Sequence, residues 1–153
     1  MRPHYRRHRG NRPVGRLGKP VRYLLDTHVF NWFRIAPKEL GKKSLVLLKD
    51  PAVQVVVSVI SSLEVAQLVW SGKLVLPCDP ETWMEQTREL FNAPEAAITT
   101  RIAAEAYRLP GEFHRDPADR ILVATARTEG WTLLTADRRI LDYPHVRTMN
   151  ARK

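Results

Sequence analysis

Three short apolar runs restrict most what this chain can fold into: VRYLLD at residues 21–26, VQVVVS at 53–58 and WTLLTAD at 131–137. The middle run is so rich in valine that it reads as a strand buried on both faces, the habit of a parallel sheet. Between the runs lie segments of helical pattern. THVFNWF follows Asp26 as a short helix, and PKELGKKSLVLLKD (37–50) is amphipathic with a proline near its start. SSLEVAQLVWSG (61–72) stops near Gly72, and DPETWMEQTRELF (79–91) begins at Asp79 and Pro80. ITTRIAAEAYRL (98–109) is a helix after a very short strand, broken by Pro110 and Gly111, and HVRTM (145–149) is a last short strand. Strand and helix alternating in this order predict an α/β domain, an open parallel sheet covered by helices on both faces. Ligands of such sheets bind beyond the carboxyl ends of the strands.

The 153 residues suffice for one such domain and not for two. A single cysteine, Cys78, rules out an internal disulfide or a cysteine zinc site and fits a reducing compartment, so the expected location is cytoplasmic. No apolar run approaches the ~20 residues needed to span a bilayer, and no membrane association is expected. The net charge of +9 is uneven: residues 1–20 hold Arg2, Arg6, Arg7, Arg9, Arg12, Arg16 and Lys19 with no acid, while the other 18 basic residues face 16 acidic ones. The expected division is a basic, disordered arm at 1–20, a folded body at 21–149 and a basic tail at 150–153. The arm is read as an extension or a mis-chosen start, with sequence-independent phosphate contact as the alternative.

Asp26 closes the first strand run and Asp137 follows the WTLLT strand, so both face the same sheet edge. Asp119, in HRDPADRILVATARTEG (114–130), shares its helical stripe with Leu122, Val123 and Ala126 and so points toward the sheet. Glu64 lies on the stripe Glu64, Gln67, Ser71 of a helix otherwise apolar nearly all round. Carboxylates gathered at one point repel one another and take up protons unless a cation holds them. An oxygen-only cluster selects a hard ion, Mg²⁺ or Mn²⁺. Two such ions ~4 Å apart would serve an in-line phosphoryl displacement. Metal-dependent phosphodiester hydrolysis is the reaction this pattern suggests.

Each acid also has a local explanation. Asp116 before Pro117 is a helix cap, Ser61-Ser62-Leu63-Glu64 matches the S-x-x-E capping box, Asp137 could cap DRRIL, and Asp26 could accept from the amides after its strand. Several acids meeting at strand ends and on an inward helix face are what capping explains badly. Thr27, Ser58 and Thr135 lie beside the expected site, where they could bind its carboxylates or substrate, or satisfy local backbone. Arg115, Arg138 and Arg139 could meet phosphates or form a solvated rim. His28, His114 and His145 lack ligand spacing to one another and read as surface or loop residues. Trp32, Trp70, Trp83 and Trp131 read as core or interface residues, and no Gly-rich phosphate loop is present.

LLDTHVFNWF, VSVISSLEVAQLVWSGKLVLP, HRDPADRILVATA and LLTADRRIL, in this order and spacing, resemble the PIN-domain nucleases of the VapC toxin type, over residues 21–149. The resemblance implies a three-layer α/β/α domain with a central, mostly parallel sheet, and Mg²⁺- or Mn²⁺-dependent cleavage of RNA. It carries the family's acidic positions onto Asp26, Glu64, Asp119 and Asp137, with Asp116 as an additional acid of the HRDPxDR form. It further implies a homodimer and a small antitoxin whose extended segment blocks the acidic groove. Two rivals stand beside it. One is a noncatalytic PIN-like module that binds RNA or a protein partner. The other is a phosphatase using Asp26 as nucleophile, which the lack of a second acid two residues on disfavours.

Overall fold

The computed structural model describes residues 20–153, so all of the basic arm except Pro20 lies outside the described residues. The strand runs form β1 (Arg22–Leu25), β2 (Gln54–Ser58) and β4 (Thr132–Thr135), joined by a two-residue β3 (Glu95–Ala96) and by β5 (Thr148–Asn150). All four ladders are parallel, in the order β3-β2-β1-β4-β5, with Leu25 opposite Val57 on one side and Leu134 on the other. β2, β1 and β4 sit centrally because they are apolar on both faces. Period-two alternation divides their side chains between two cores.

Leu24, Val56 and Leu133 pack with Ile102, Leu122, Val123 and Ile140 on one side. Leu25, Val55, Val57 and Leu134 pack with Phe30, Leu48, Trp83 and Met84 on the other. The first side is covered by α5 (Thr100–Glu105), α6 (Pro117–Glu129) and the short α7 (Arg138–Leu141). The second is covered by α1 (Thr27–Ile35), α2 (Lys42–Lys49) and α4 (Pro80–Phe91), with Val65 of α3 (Val59–Trp70) packed among them. This is the expected α/β/α sandwich. Fully buried leucines such as Leu24 and Leu133 each contribute about 1.5–3 kcal/mol by leaving water.

Several boundaries differ from the sequence reading. The helix expected over 98–109 ends at Glu105, capped at its start by Thr99, whose hydroxyl accepts from the Ile102 amide. Pro37 heads a separate 3-10 turn, and α2 begins only after Gly41. β5 starts at Thr148, where the register with β4 begins, instead of at His145. Residues 150–153 are built into the domain: Asn150 belongs to β5, Ala151 is buried, and the Ser44 amide donates to the Lys153 carbonyl at 3.1 Å. That approach explains Gly41, since a Cβ there would lie 2.2 Å from the Lys153 backbone. Trp83 is core, whereas Trp70 at the end of α3 is 87% exposed and belongs to no core.

Candidate active site

β1 ends at Leu25 and α1 starts at Thr27, so Asp26 occupies the turn at the carboxyl edge of the central strand. It does not cap α1. Its side chain, only 5% exposed, instead accepts from the Thr135 hydroxyl at the end of β4, 2.7 Å away. The same hydroxyl oxygen accepts from the Asp137 amide at 3.0 Å. One threonine at a strand end thus fixes the side chain of one acid and the backbone of another. Asp137 also caps α7 through the Arg139 amide, as the sequence allowed.

Glu64 is placed differently from the capping-box reading. Ser58, the last residue of β2, caps α3 by accepting from the Ile60 amide, so the helix begins two residues early and Ser61 lies inside it. Ser61 is fully buried and its hydroxyl meets Thr27 Oγ1 at 2.8 Å, while Thr27 Oγ1 donates to Glu64 Oε1. A hydroxyl has one hydrogen, so Ser61 donates to Thr27 and Thr27 to Glu64. Glu64 is therefore aimed at the sheet edge by a two-hydroxyl relay from α1 and its own helix.

Asp116 caps α6 through the amides of Ala118 and Asp119, at 2.9 and 3.2 Å, with Pro117 in the first helical turn. Asp119, one turn in, is 8% exposed and faces inward. Its Oδ2 lies 2.6 Å from His114 Nε2 and 3.5 Å from an Arg139 nitrogen, and Arg139 also pairs with Asp137 at 2.9 Å. His114 is the residue that spacing between histidines failed to pick out. The signal present in the sequence was its place in the loop that enters α6, five residues before Asp119.

The electrostatics reflect this crowding. Burial raises the Asp26 carboxyl above its ordinary value; the Thr135 hydroxyl and nearby His28 oppose this, and Asp137 adds to it. Burial likewise raises Glu64, against the bond from Thr27, and the charges of Asp26, Asp119 and Asp116 raise it further. Asp119 is raised by burial and by Asp26, Asp116 and Asp137, with His114 opposing. At Asp137 burial also pushes upward, but the hydrogen bonds and charge of Arg139 outweigh it and the carboxyl is lowered. Burial first, and the neighbouring carboxylates second, thus favour the protonated form of Asp26, Glu64 and Asp119. One oxygen each from Asp119 and Asp137 and one His114 nitrogen lie within 4.8 Å of one another.

The remaining residues divide clearly. Thr27 and Thr135 are engaged with carboxylates and Ser58 with its helix, so all three hydroxyls orient the site from within. Arg115 is exposed at the mouth of α6. Arg138 pairs across the exposed turn with Asp142 at 3.8 Å, leaving Arg139 as the arginine that reaches the acids. Arg120, beneath them, donates to the carbonyls of Ala106, Phe113 and His114 at 2.7–3.0 Å and so ties the loop before α6 to the helix.

A five-stranded parallel sheet with acids converging on its carboxyl edge is the architecture of one nuclease-like class, and the chain belongs to it: the PIN domain family model matches residues 23–146. Over 124 residues the chain is 36% identical to ribonuclease VapC22 of Mycobacterium tuberculosis, a match covering 81% of this chain and 93% of that protein. Its fold is similar to that of a chain in the VapBC2 complex of Rickettsia felis bound to a promoter DNA fragment. There the TM-score is 0.61 at 15% identity, covering 85% of this chain and 98% of the other. A toxin–antitoxin complex from Klebsiella pneumoniae gives a TM-score of 0.60 at 19% identity, covering 84% and 97%. No described helix is long and apolar enough to cross a membrane.

Proposed function

We propose that the protein is a Mg²⁺- or Mn²⁺-dependent endoribonuclease acting as the toxin of a type II toxin–antitoxin pair. What supports this reading is that Asp26, Glu64, Asp119 and Asp137, from four separate chain segments, influence one another's charge near the carboxyl edge of a PIN-domain sheet, with one oxygen each of Asp119 and Asp137 within 4.8 Å of each other. The residues fit a divalent cation, because one oxygen each from Asp119 and Asp137 and a His114 nitrogen lie within 4.8 Å of one another, and burial and mutual repulsion raise Asp26, Glu64 and Asp119. In this reading Asp26, Asp119 and Asp137 hold the ion, Asp116 lies just outside as cap and additional acid, and Glu64 completes the shell or orients the attacking water. The bound ion supplies Lewis acidity that offsets charge on the phosphoryl and leaving oxygens.

The chain's own groups do the rest. Glu64, steadied by Thr27, accepts the water's hydrogen bond and takes its proton as the water oxygen bonds to phosphorus; the bond from phosphorus to the 3′-oxygen breaks and that oxygen takes a proton from solvent, leaving a 5′-phosphate and a 3′-hydroxyl. Arg139 keeps Asp137 ionised, and exposed Arg115 and Arg138 flank the edge where RNA phosphates arrive. The partners in this reading are RNA, a second copy of the chain and a cytoplasmic antitoxin whose basic side chain matches the acidic edge.

Structured RNAs incubated with the protein in Mg²⁺ or Mn²⁺, in chelator, and with Asp26→Asn test it. Cleavage should require both the ion and Asp26. Equal cleavage in all conditions overturns the reading, and RNA binding without any cleavage supports the noncatalytic module instead.

A further inference from the structure

His114 has no task in the proposed reaction, yet the loop that carries it is firmly fixed. Its backbone carbonyl and that of Phe113 accept from one Arg120 nitrogen, at 3.0 and 2.9 Å, while Arg120 Nε is anchored on the Ala106 carbonyl at 2.7 Å. The Phe113 ring packs against Tyr143, with centroids 4.8 Å apart, and the Tyr143 hydroxyl donates to the Pro110 carbonyl at 2.6 Å. The loop that carries His114 is thus fixed at three carbonyls, and its imidazole is directed at Asp119.

Charge pairing at Asp119 is not left to the imidazole alone, because Arg139 bonds Asp137 at 2.9 Å and comes within 3.5 Å of Asp119. What the histidine adds is a nitrogen donor converging with two carboxylate oxygens inside 4.8 Å. Opposite donors of one small-ion coordination sphere are about 4.2 Å apart, twice a bond of ~2.1 Å, so the three atoms need little adjustment to share one ion.

We propose that His114 is a metal ligand, completing a mixed nitrogen–oxygen site with Asp119 and Asp137 that prefers Mn²⁺ and Co²⁺ to Mg²⁺. This role rests on the metal-dependent reading of the site. Ligation uses the Nε2 lone pair, with the ring hydrogen on Nδ1, and so exchanges the 2.6 Å hydrogen bond between Nε2 and Asp119 for a shared ion. Imidazole strengthens binding along the series from Mn²⁺ to Co²⁺, whereas Mg²⁺ keeps oxygen ligands and water. An all-carboxylate edge would discriminate less.

The test is calorimetric titration of the full chain with Mg²⁺, Mn²⁺ and Co²⁺, in the wild type and in His114→Gln, together with pulsed electron paramagnetic resonance of the Mn²⁺ form. Gln retains a donor toward Asp119, and the wild-type spectrum is informative even if that variant folds poorly. Expected are ¹⁴N couplings of a directly bound imidazole in the wild type. In His114→Gln the Kd for Mn²⁺ and Co²⁺ should rise at least about tenfold, and that for Mg²⁺ less than about threefold. A wild-type Mn²⁺ spectrum without nitrogen coupling, or equal weakening for all three ions, overturns the proposal while leaving the metal-dependent reading intact. No ion binding to the wild type overturns both.

Discussion

Replacing Asp26 by Asn should make the metal-free protein more stable while removing its response to metal. Asp26 is a buried carboxyl with one side-chain hydrogen bond, from Thr135, and its charge also raises Glu64 and Asp119. Relief of an under-compensated buried charge is worth about 2–3 kcal/mol, and leaving the new amide N–H group without a partner takes back about 1 kcal/mol. Asn can still accept from Thr135, so the net gain is about 1–2 kcal/mol, or roughly 3–6 °C in Tm for a domain of this size. The pH dependence has a definite sign. An acid raised in the folded state holds its proton above its ordinary value near 3.8, where the unfolded chain has already lost its own. Wild-type stability therefore falls as pH rises through the folded value, and Asn, which cannot ionise, escapes this loss. The gap between variant and wild type should be nearly absent around pH 4 and open toward neutrality. Thermal unfolding followed by circular dichroism in chelator measures this directly. Saturating Mn²⁺ at about 100 times its Kd stabilises the wild type by about 2.7 kcal/mol and should reverse the order at neutral pH. An Asn variant that is less stable than wild type in chelator at neutral pH, or a gap independent of pH, refutes the reasoning.

The two aspartates at the head of α6 should separate. Asp116→Asn preserves a capping side chain and should reduce RNA cleavage only a fewfold, whereas Asp119→Asn, at the inward carboxylate, should reduce it by about 100-fold or more; single-turnover cleavage assays compare them. Gly41→Ala should destabilise by about 1–3 kcal/mol in urea titration, because its methyl group lies 2.2 Å from the Lys153 backbone and displaces the carbonyl that the Ser44 amide binds.

Much of this was legible in the sequence because a parallel α/β fold writes its topology in short apolar runs and its ligand edge in the residues just after each run. Asp26 and Asp137 could be placed at one edge from strand direction alone, and the inward stripe of α6 singled out Asp119, which is indeed buried. Less legible were groups whose role depends on partners far along the chain. Ser61-x-x-Glu64 has the sequence of a capping box, yet Ser58 captured the cap position, because β2 ends there and its hydroxyl sits opposite the first free amides of α3. That three-residue shift of the cap carries Ser61 inside the helix, where its hydroxyl finds Thr27, 34 residues away. Sequence left Trp70 as core or interface, and of these the structure excludes the core: at the end of α3 it is 87% exposed.

Long-range assembly also explains why His114 escaped notice. Ligand spacing along a chain is diagnostic when one helix or hairpin supplies the site, as in a helical pair of histidines. Here the proposed donors come from a strand end, two helix starts and a clamped loop, so no two need share a fixed spacing. The strands fix where the edge lies, and the local hydrogen-bonding needs of four helix starts fix which side chains stay there. Asp116 and Asp137 cap helices and thereby stand beside Asp119 and Asp26, which cap none. The pair without a helix to cap is the pair that burial and neighbouring carboxylates push toward the protonated form, so in such a fold an acid buried at the sheet edge with no capping task is where a bound cation would relieve the most.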